Sequence, residues 1–539
     1  MRIMLDILIK NGKVYDGTGN PFTLLDIGIK DGKIVKLERN MKFGAKREID
    51  AKGLSVSPGF IDTHVHSDLL WTKPDIHQIK VKKGVTTELF GQDGIAVAPV
   101  SNETRPLWQA QLKGLDGDIG DWPWDSVESY LQHINERKSL TNVAFLVPHG
   151  NVRTLVMGFE KRESTVEEQI EMRKLVEKAM EEGAVGFSTG LVYPPNSFCA
   201  TDELIEICKG VAKYDGCFVV HMRNESFNIM EALDEMIEVS TQSGVRLHLS
   251  HFKVIGVRNR ENYQYLLEKI NEARLQGIEI TFDQYPYTAA STVFSAILPP
   301  WAHDGGAEMM LSRLKNLSDR EKIKEDFASN LTFENWVYNC GWENIIISSI
   351  GAEEFKLFEG KSVKEIADIK SIPPDEMAMD LLVTANANVT MVVHWGLEED
   401  IVKLMKSSYH IVGSDSIFGG KPHPRLYGTQ PRILGRYVRE LNILTLEEAI
   451  HHMTGSPAQL LRLKDRGLIK EGYYADIVIF DPENISDQAT FTDPLQEPTG
   501  IQYVLVNGEV CKEENSVFIE SLHGKVIKSE VFENITTIK

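Results

Sequence analysis

The feature that most constrains this chain is a recurrence of short apolar runs, each followed by an amphipathic stretch. The runs are LSVSPGFIDTHVH, VTTELFGQD, NVAFLVPHG, AVGFSTGLVYPP, CFVVHMRNE, VRLHLSHFK, IEITFDQYPY and YHIVGSD. Between them lie segments such as TVEEQIEMRKLVEKAMEEG and SYLQHINERKSL, with apolar residues at helical spacing and Gly near the ends. Eight such strand–helix units imply a (β/α)8 barrel, the TIM barrel of the α/β class.

The two ends of the chain follow a different pattern. LDILIKNGKVYDG and LDIGIKDGKIVKLE alternate apolar and polar residues around Asn-Gly and Asp-Gly, which predicts hairpin turns. ADIVIFDP and IQYVLVNGEVCK repeat that grammar near the C-terminus. A small β-sandwich built from residues 1–57 and 461–539 is expected, with the barrel at 58–460 inserted between its halves. Two surplus strand-like runs, NIIISSI and TMVVHW, fall between the seventh and eighth barrel candidates. Much of 293–385 therefore reads as an elaboration over the barrel mouth, unless one of these two runs is itself a barrel strand.

Composition narrows the function. With 539 residues, 42% hydrophobic and 25% charged, the chain can bury a large core. Its net charge of -20 argues against nucleic acid and anionic membranes, both of which call for clustered positive charge. No apolar run reaches transmembrane length, and the N-terminus lacks the pattern of a signal peptide. Five cysteines without CxxC spacing suggest neither a disulfide framework nor a cysteine zinc site, so a reducing cytoplasm and a small-molecule substrate are expected.

Active-site residues of a barrel project from the C-terminal ends of its strands. Those ends carry His64 and His66, Asp93, Tyr193, His221, His251, Tyr285 and Asp415. His64 and His66 are two apart, so an extended chain turns both imidazoles to one face. Core packing does not explain four histidines and two carboxylates at strand ends, because each uncompensated buried polar group costs about 1–3 kcal/mol. Nitrogen and carboxylate donors favour Zn²⁺, with Mn²⁺, Co²⁺ or Fe²⁺ as alternatives. Such a metal lowers the pKa of its water to about 7 and polarises a carbonyl. A carboxylate such as Asp415 can then carry the proton to a leaving nitrogen, and hydrolysis of an amide-like bond follows as the reaction class.

These residues sit in longer motifs: GFIDTHVH, GVTTELFGQDG, GAVGFSTGLVYPP, LHLSHFKV, DQYPYTAAST, GSDSIFGGKPHPRLYGTQPRILG and DPLQEPTGIQYVLVNG. Through nearly its whole length the chain resembles the amidohydrolase superfamily, and more narrowly the N-acyl-D-amino-acid deacylases (D-aminoacylases). The resemblance implies hydrolysis of N-acyl-D-amino acids to a carboxylate and a free D-amino acid at one or two zinc ions. It makes His64, His66, His221 and His251 metal ligands and Asp415 the general base and acid. Tyr193 would help polarise the scissile carbonyl, and Tyr285, Ser291 and Arg425 would bind the substrate's α-carboxylate. A guanidinium flanked by hydroxyls also suits that last task chemically.

Two departures stand out. The familiar deacylases carry a cysteine ligand where this chain has Asp93, in GQDG; a carboxylate is harder than a thiolate and can bridge two metals. Asp93 is accordingly read as a metal ligand, against the competing reading of a turn aspartate before Gly94. The segment between Asp415 and Arg425 is one residue shorter than the family pattern, which would shift the carboxylate clamp. These departures keep open hydrolysis of a cyclic amide, a carbamoyl amino acid or a D-residue dipeptide. A noncatalytic metal-binding barrel is the further rival, and Asp415 argues against it. Lys253 (two residues beyond His251), His149 and Arg153 (after the third strand) and the equally ambiguous His423 are left outside the site.

Overall fold

A computed structural model describes residues 4–116 and 120–529. The eight runs form eight strands of one parallel sheet: Phe60–Asp62, Val85–Phe90, Asn142–Pro148, Gly186–Gly190, Cys217–His221, Arg246–Leu249, Ile280–Gln284 and His410–Val412. Each pairs in parallel with its neighbour in sequence. The first and last strands meet just past their C-terminal ends, through a parallel bridge between Val65 and Ser416. The Asp415 N–H donates to the His64 carbonyl at 2.8 Å, and the His66 N–H to the Ser416 carbonyl at 3.3 Å. Closure is therefore made by the residues that flank the candidate ligands.

Capping residues define the helices that cover the barrel. In the helix Val166–Glu182, Thr165 accepts from the Glu168 N–H while Glu168 reaches back to the Thr165 N–H, and the chain leaves the helix at Gly183. Ser126 and Ser129 play the same parts for Val127–Arg137. The core between strands and helices joins Phe145, Phe187, Phe218, Leu247 and Phe282, all essentially inaccessible to solvent.

NIIISSI and TMVVHW lie outside the barrel. Ile345–Ile350 and Val389–His394 pair antiparallel with each other, and Ala289–Val293 pairs antiparallel with the second of them. The resulting three-stranded sheet, with helices such as Leu317–Ser329 and Pro374–Thr384, forms a second layer after the seventh strand. Its first strand carries Ser291, so the elaboration contributes directly to the site region.

Nine strands from both chain ends join in one further sheet. Its core combines Ile7, Ile27 and Ile49 with Ile477, Ile479 and Leu505. Asp31-Gly32 and Asn507-Gly508 make the expected two-residue turns, with both residues of each at positive φ. Asn11-Gly12 does not turn. The strand runs straight through from Leu5 to Val14 with a bulge between Ile9 and Gly12, and Asn11 takes φ 62°. Glycine is required there because a Cβ on Gly12 would lie 2.5 Å from Val56 Cγ2. Beyond this sheet the chain returns to the barrel, where Val526 bridges Val143.

Candidate active site

All six candidate metal-site and proton-transfer residues converge at the C-terminal end of the barrel. His64 Nε2 lies 3.6 Å from an Asp93 oxygen and 3.6 Å from an Asp415 oxygen. His66 Nε2 lies 3.6 Å and 3.3 Å from the same two carboxylates. His251 Nε2 is 3.8 Å from the other Asp93 oxygen, and its ring centroid is 4.4 Å from that of His221. Asp93 is thus the link between the first-strand pair and His251. The turn-aspartate reading accounts for its backbone, at φ 56° before Gly94, but leaves its side-chain placement unexplained.

The backbone is strained where these residues sit. Asp93, His251 and Asp415 have φ of 56°, 35° and 48°, a region that costs non-glycine residues of order 1 kcal/mol or more each. Named contacts hold each one. Asp283, at the end of the seventh strand, accepts the His251 N–H at 2.7 Å and places its other oxygen 2.9 Å from His248 Nε2. The bond from Asp415 to the His64 carbonyl fixes the eighth-strand turn. Gly91 lets the chain pass over the Leu146 carbonyl toward Asp93; a Cβ there would lie 2.2 Å from that oxygen.

Several buried donor atoms are left over. Both ring nitrogens of His64 and of His221, together with Asp93 Oδ1, are buried without a hydrogen-bond partner among the described residues. Such orphans are costly in a protein interior, and a cation coordinated by imidazole and carboxylate would satisfy them. The ligating atoms of His64, His66 and Asp415 lie within 4.8 Å of one another, as do those of His64, Asp93 and His251. Electrostatics point the same way. Burial alone would raise the pKa of Asp415 and Asp93, yet Arg425 and His64 hold Asp415 well below the carboxylate range, and His64 and His251 lower Asp93. His64, despite complete burial, is pulled up to about 9 by Asp415 and Asp93, whereas burial and the neighbouring His251 push His221 down to about 3. The donor set fits a divalent metal.

The proposed carboxylate clamp is also assembled. Arg425 is fully buried, its guanidinium 4.4 Å from the Tyr285 ring centroid. Its Nη2 donates to the Ser291 carbonyl and pairs with Asp415, each at 2.9 Å, so the shorter intervening segment still brings the arginine to the site. Arg425 Nε and Nη1 and the Tyr285 hydroxyl have no hydrogen-bond partner among the described residues. Tyr193 lines a cleft with His66, Asp93, His221, His251, Ser291 and Asp415, its hydroxyl 2.8 Å from Thr292 Oγ1 and its ring against His221.

Of the residues left outside the site, Lys253 belongs to it. It lines the cleft, pairs with Glu225 and lies 3.0 Å from His251 Nδ1. His149 and Arg153 instead share Glu203, at 2.8 Å and 3.1 Å, and do not line the cleft. His423 accepts the Arg425 N–H and contacts the Ala289 carbonyl, which makes it a support for the clamp.

Three carboxylates were missed in the sequence. Besides Asp283, Glu225 sits 3.3 Å from His251 Nδ1 and 3.6 Å from His221 Nε2. Glu334, from the elaboration, accepts the Glu225 N–H at 2.7 Å and comes within 4.0 Å of His221 Nε2. Burial and the proximity of Glu225 raise Glu334 to about 8. Glu225 was detectable as a carboxylate four residues after a ligand histidine, and Asp283 as the acid opening DQYPY. Nothing in the local sequence marks Glu334.

Comparison with known proteins places this geometry. The amidohydrolase family pattern matches residues 47–316 and 362–511. D-aminoacylase of Alcaligenes xylosoxydans xylosoxydans is 31% identical over 95% of each chain. The N-acyl-D-aspartate deacylase of the same organism is 32% identical, over 93% of this chain and 91% of that one. Among solved structures, the Bordetella Bronchiseptica N-acyl-D-glutamate deacylase, complexed with zinc and a phosphonate mimic of the tetrahedral intermediate, matches with TM-score 0.82. It is 29% identical, and the match covers 98% of this chain and all of that one. A D-aminoacylase studied for its binuclear metal centre also matches at TM-score 0.82, with 30% identity over 97% of this chain and all of that one.

Proposed function

Because the chain belongs to the amidohydrolase family, in the branch that holds the D-aminoacylases, we propose that it hydrolyses N-acyl-D-amino acids to a carboxylate and a free D-amino acid. The observation that carries this reading is the convergence of His64, His66, Asp93, His221, His251 and Asp415 at the C-terminal end of the barrel, with Arg425 bonded to Asp415. His64, His66, Asp93, His221 and His251 would hold one or two divalent ions, and zinc is favoured by the nitrogen-rich donor set and by the zinc in the Bordetella relative. When bound, such an ion makes water a nucleophile near neutral pH and polarises a carbonyl oxygen.

The protein's own groups do the rest. The free N–H donors of Arg425, with the hydroxyls of Tyr285 and Ser291, hold the substrate's α-carboxylate in paired hydrogen bonds. Tyr193 donates its hydroxyl proton in a hydrogen bond to the acyl oxygen as negative charge develops there. Asp415, kept ionised by Arg425 and His64, takes a proton from the attacking water and passes it to the departing nitrogen. Because clamp and proton carrier are in contact, the scissile nitrogen, one bond from the clamped Cα, is delivered to Asp415 in a single register. The five cysteines are unpaired and four of them are buried, which suits a reducing cytoplasm.

Release of free amino acid from matched N-acetyl-D- and N-acetyl-L-amino acids, with zinc-loaded protein, tests the reading. Turnover confined to the D series is expected. Turnover of cyclic or carbamoyl amides with none of either acyl series would replace it with the rival amide chemistry.

A further inference from the structure

Relatives of this chain are named for D-glutamate and D-aspartate as well as for D-amino acids in general, so family membership leaves the side chain undetermined. The cleft discriminates. Besides Tyr193 and most of the candidate ligands it is lined by Ile95, Leu115, Ala290 and Trp336, with Ser291 and Thr292. Ile95 follows the Asp93 turn, Leu115 closes the helix Arg105–Asp116, and Trp336 opens the helix Trp336–Cys340 of the elaboration. Among the described residues that line the cleft, Lys253 is the one lysine or arginine, and it is paired with Glu225. Arg425, behind the lining, is paired with Asp415.

Resting on the deacylase reading, we propose that the cleft selects N-acyl-D-amino acids with apolar side chains and rejects those whose side chain bears a second carboxylate. The charges decide it. An N-acyl amino acid already presents one carboxylate, which engages Arg425. A second would meet apolar walls, and on the side of Lys253 an ammonium whose charge Glu225 already neutralises. A buried carboxylate without a partner is strongly disfavoured, whereas leucine, methionine or phenylalanine side chains gain by leaving water. The elaboration takes part directly, through Trp336 on the wall and Glu334 beside His221.

The experiment is kcat/KM for the N-acetyl derivatives of D-leucine, D-methionine, D-phenylalanine, D-glutamine, D-glutamate and D-aspartate. D-Leucine or D-methionine is expected to exceed D-glutamate by about 100-fold or more. D-Glutamine, nearly isosteric with D-glutamate, isolates the charge and is expected to fall between them. In Leu115→Arg the ratio of D-glutamate to D-leucine should rise at least about tenfold. Should that variant fail to fold, the glutamine-to-glutamate ratio of the unaltered protein still decides. D-Glutamate or D-aspartate turned over as well as D-leucine would overturn the inference and leave the deacylase reading standing. Silence toward all six substrates would overturn the deacylase reading, and the inference with it.

Discussion

Asp415→Asn is expected to lower kcat on the order of 10³-fold while KM for an N-acetyl-D-amino acid changes far less. Asparagine keeps the shape of the side chain and can still accept from Arg425, but it has no basic oxygen to take a proton. The loss therefore falls on proton transfer in the transition state, a contribution of about 10²–10⁴ in well-studied cases. The prediction is sharpened by the position of Asp415: one oxygen is 3.3 Å from His66 Nε2 and the other is 2.9 Å from Arg425. Steady-state kinetics checks it, alongside metal analysis to show that the ligand set still fills. A kcat within tenfold of the unaltered protein would move the proton-carrying role elsewhere, with Tyr193 and Glu334 the next groups to test.

Asp93→Ala should give the second large effect, and its readout is metal content. If Asp93 links the first-strand histidines to His251, its removal deprives the cluster of a charged donor and lowers bound metal by about one equivalent. Loss of a partner one shell further out already costs about 10–100-fold in metal affinity, so a direct ligand should cost more. Asp93→Cys restores the donor of the familiar deacylases and is expected to retain zinc while binding harder ions such as Mn²⁺ less well. Undiminished metal in Asp93→Ala would return Asp93 to the role of a turn residue.

Much of this was legible from residue order. The eight barrel strands lie inside the eight apolar runs, because a parallel strand covered on both faces needs an apolar segment of strand length. The site could be read because the chemistry of a barrel gathers at strand ends, so His64, His66, His221 and His251 were located by the strands themselves. The failures have physical causes. Asn11-Gly12 has the composition of a hairpin turn, yet a positive-φ asparagine also suits a bulge, and the close packing of Gly12 against Val56 on a neighbouring strand decides between them only in the folded sheet. Glu334 reaches His221 from a segment more than a hundred residues downstream, in the loop before the helix Trp336–Cys340, whose packing onto the barrel no local pattern encodes. Lys253 was ambiguous because a cation two residues past a ligand can face a substrate or a carboxylate; Glu225, four residues after His221, resolved it.

On the deacylase reading, the converged strand-end residues hold a divalent metal on which turnover of D-substrates depends. The most direct test strips the protein of metal with a chelator, then follows hydrolysis of N-acetyl-D-methionine as zinc is returned in fractions of an equivalent. The account predicts negligible turnover in the stripped protein and a rise with added zinc that breaks at one or two equivalents per chain. Full turnover after the metal has been shown to be gone would contradict it.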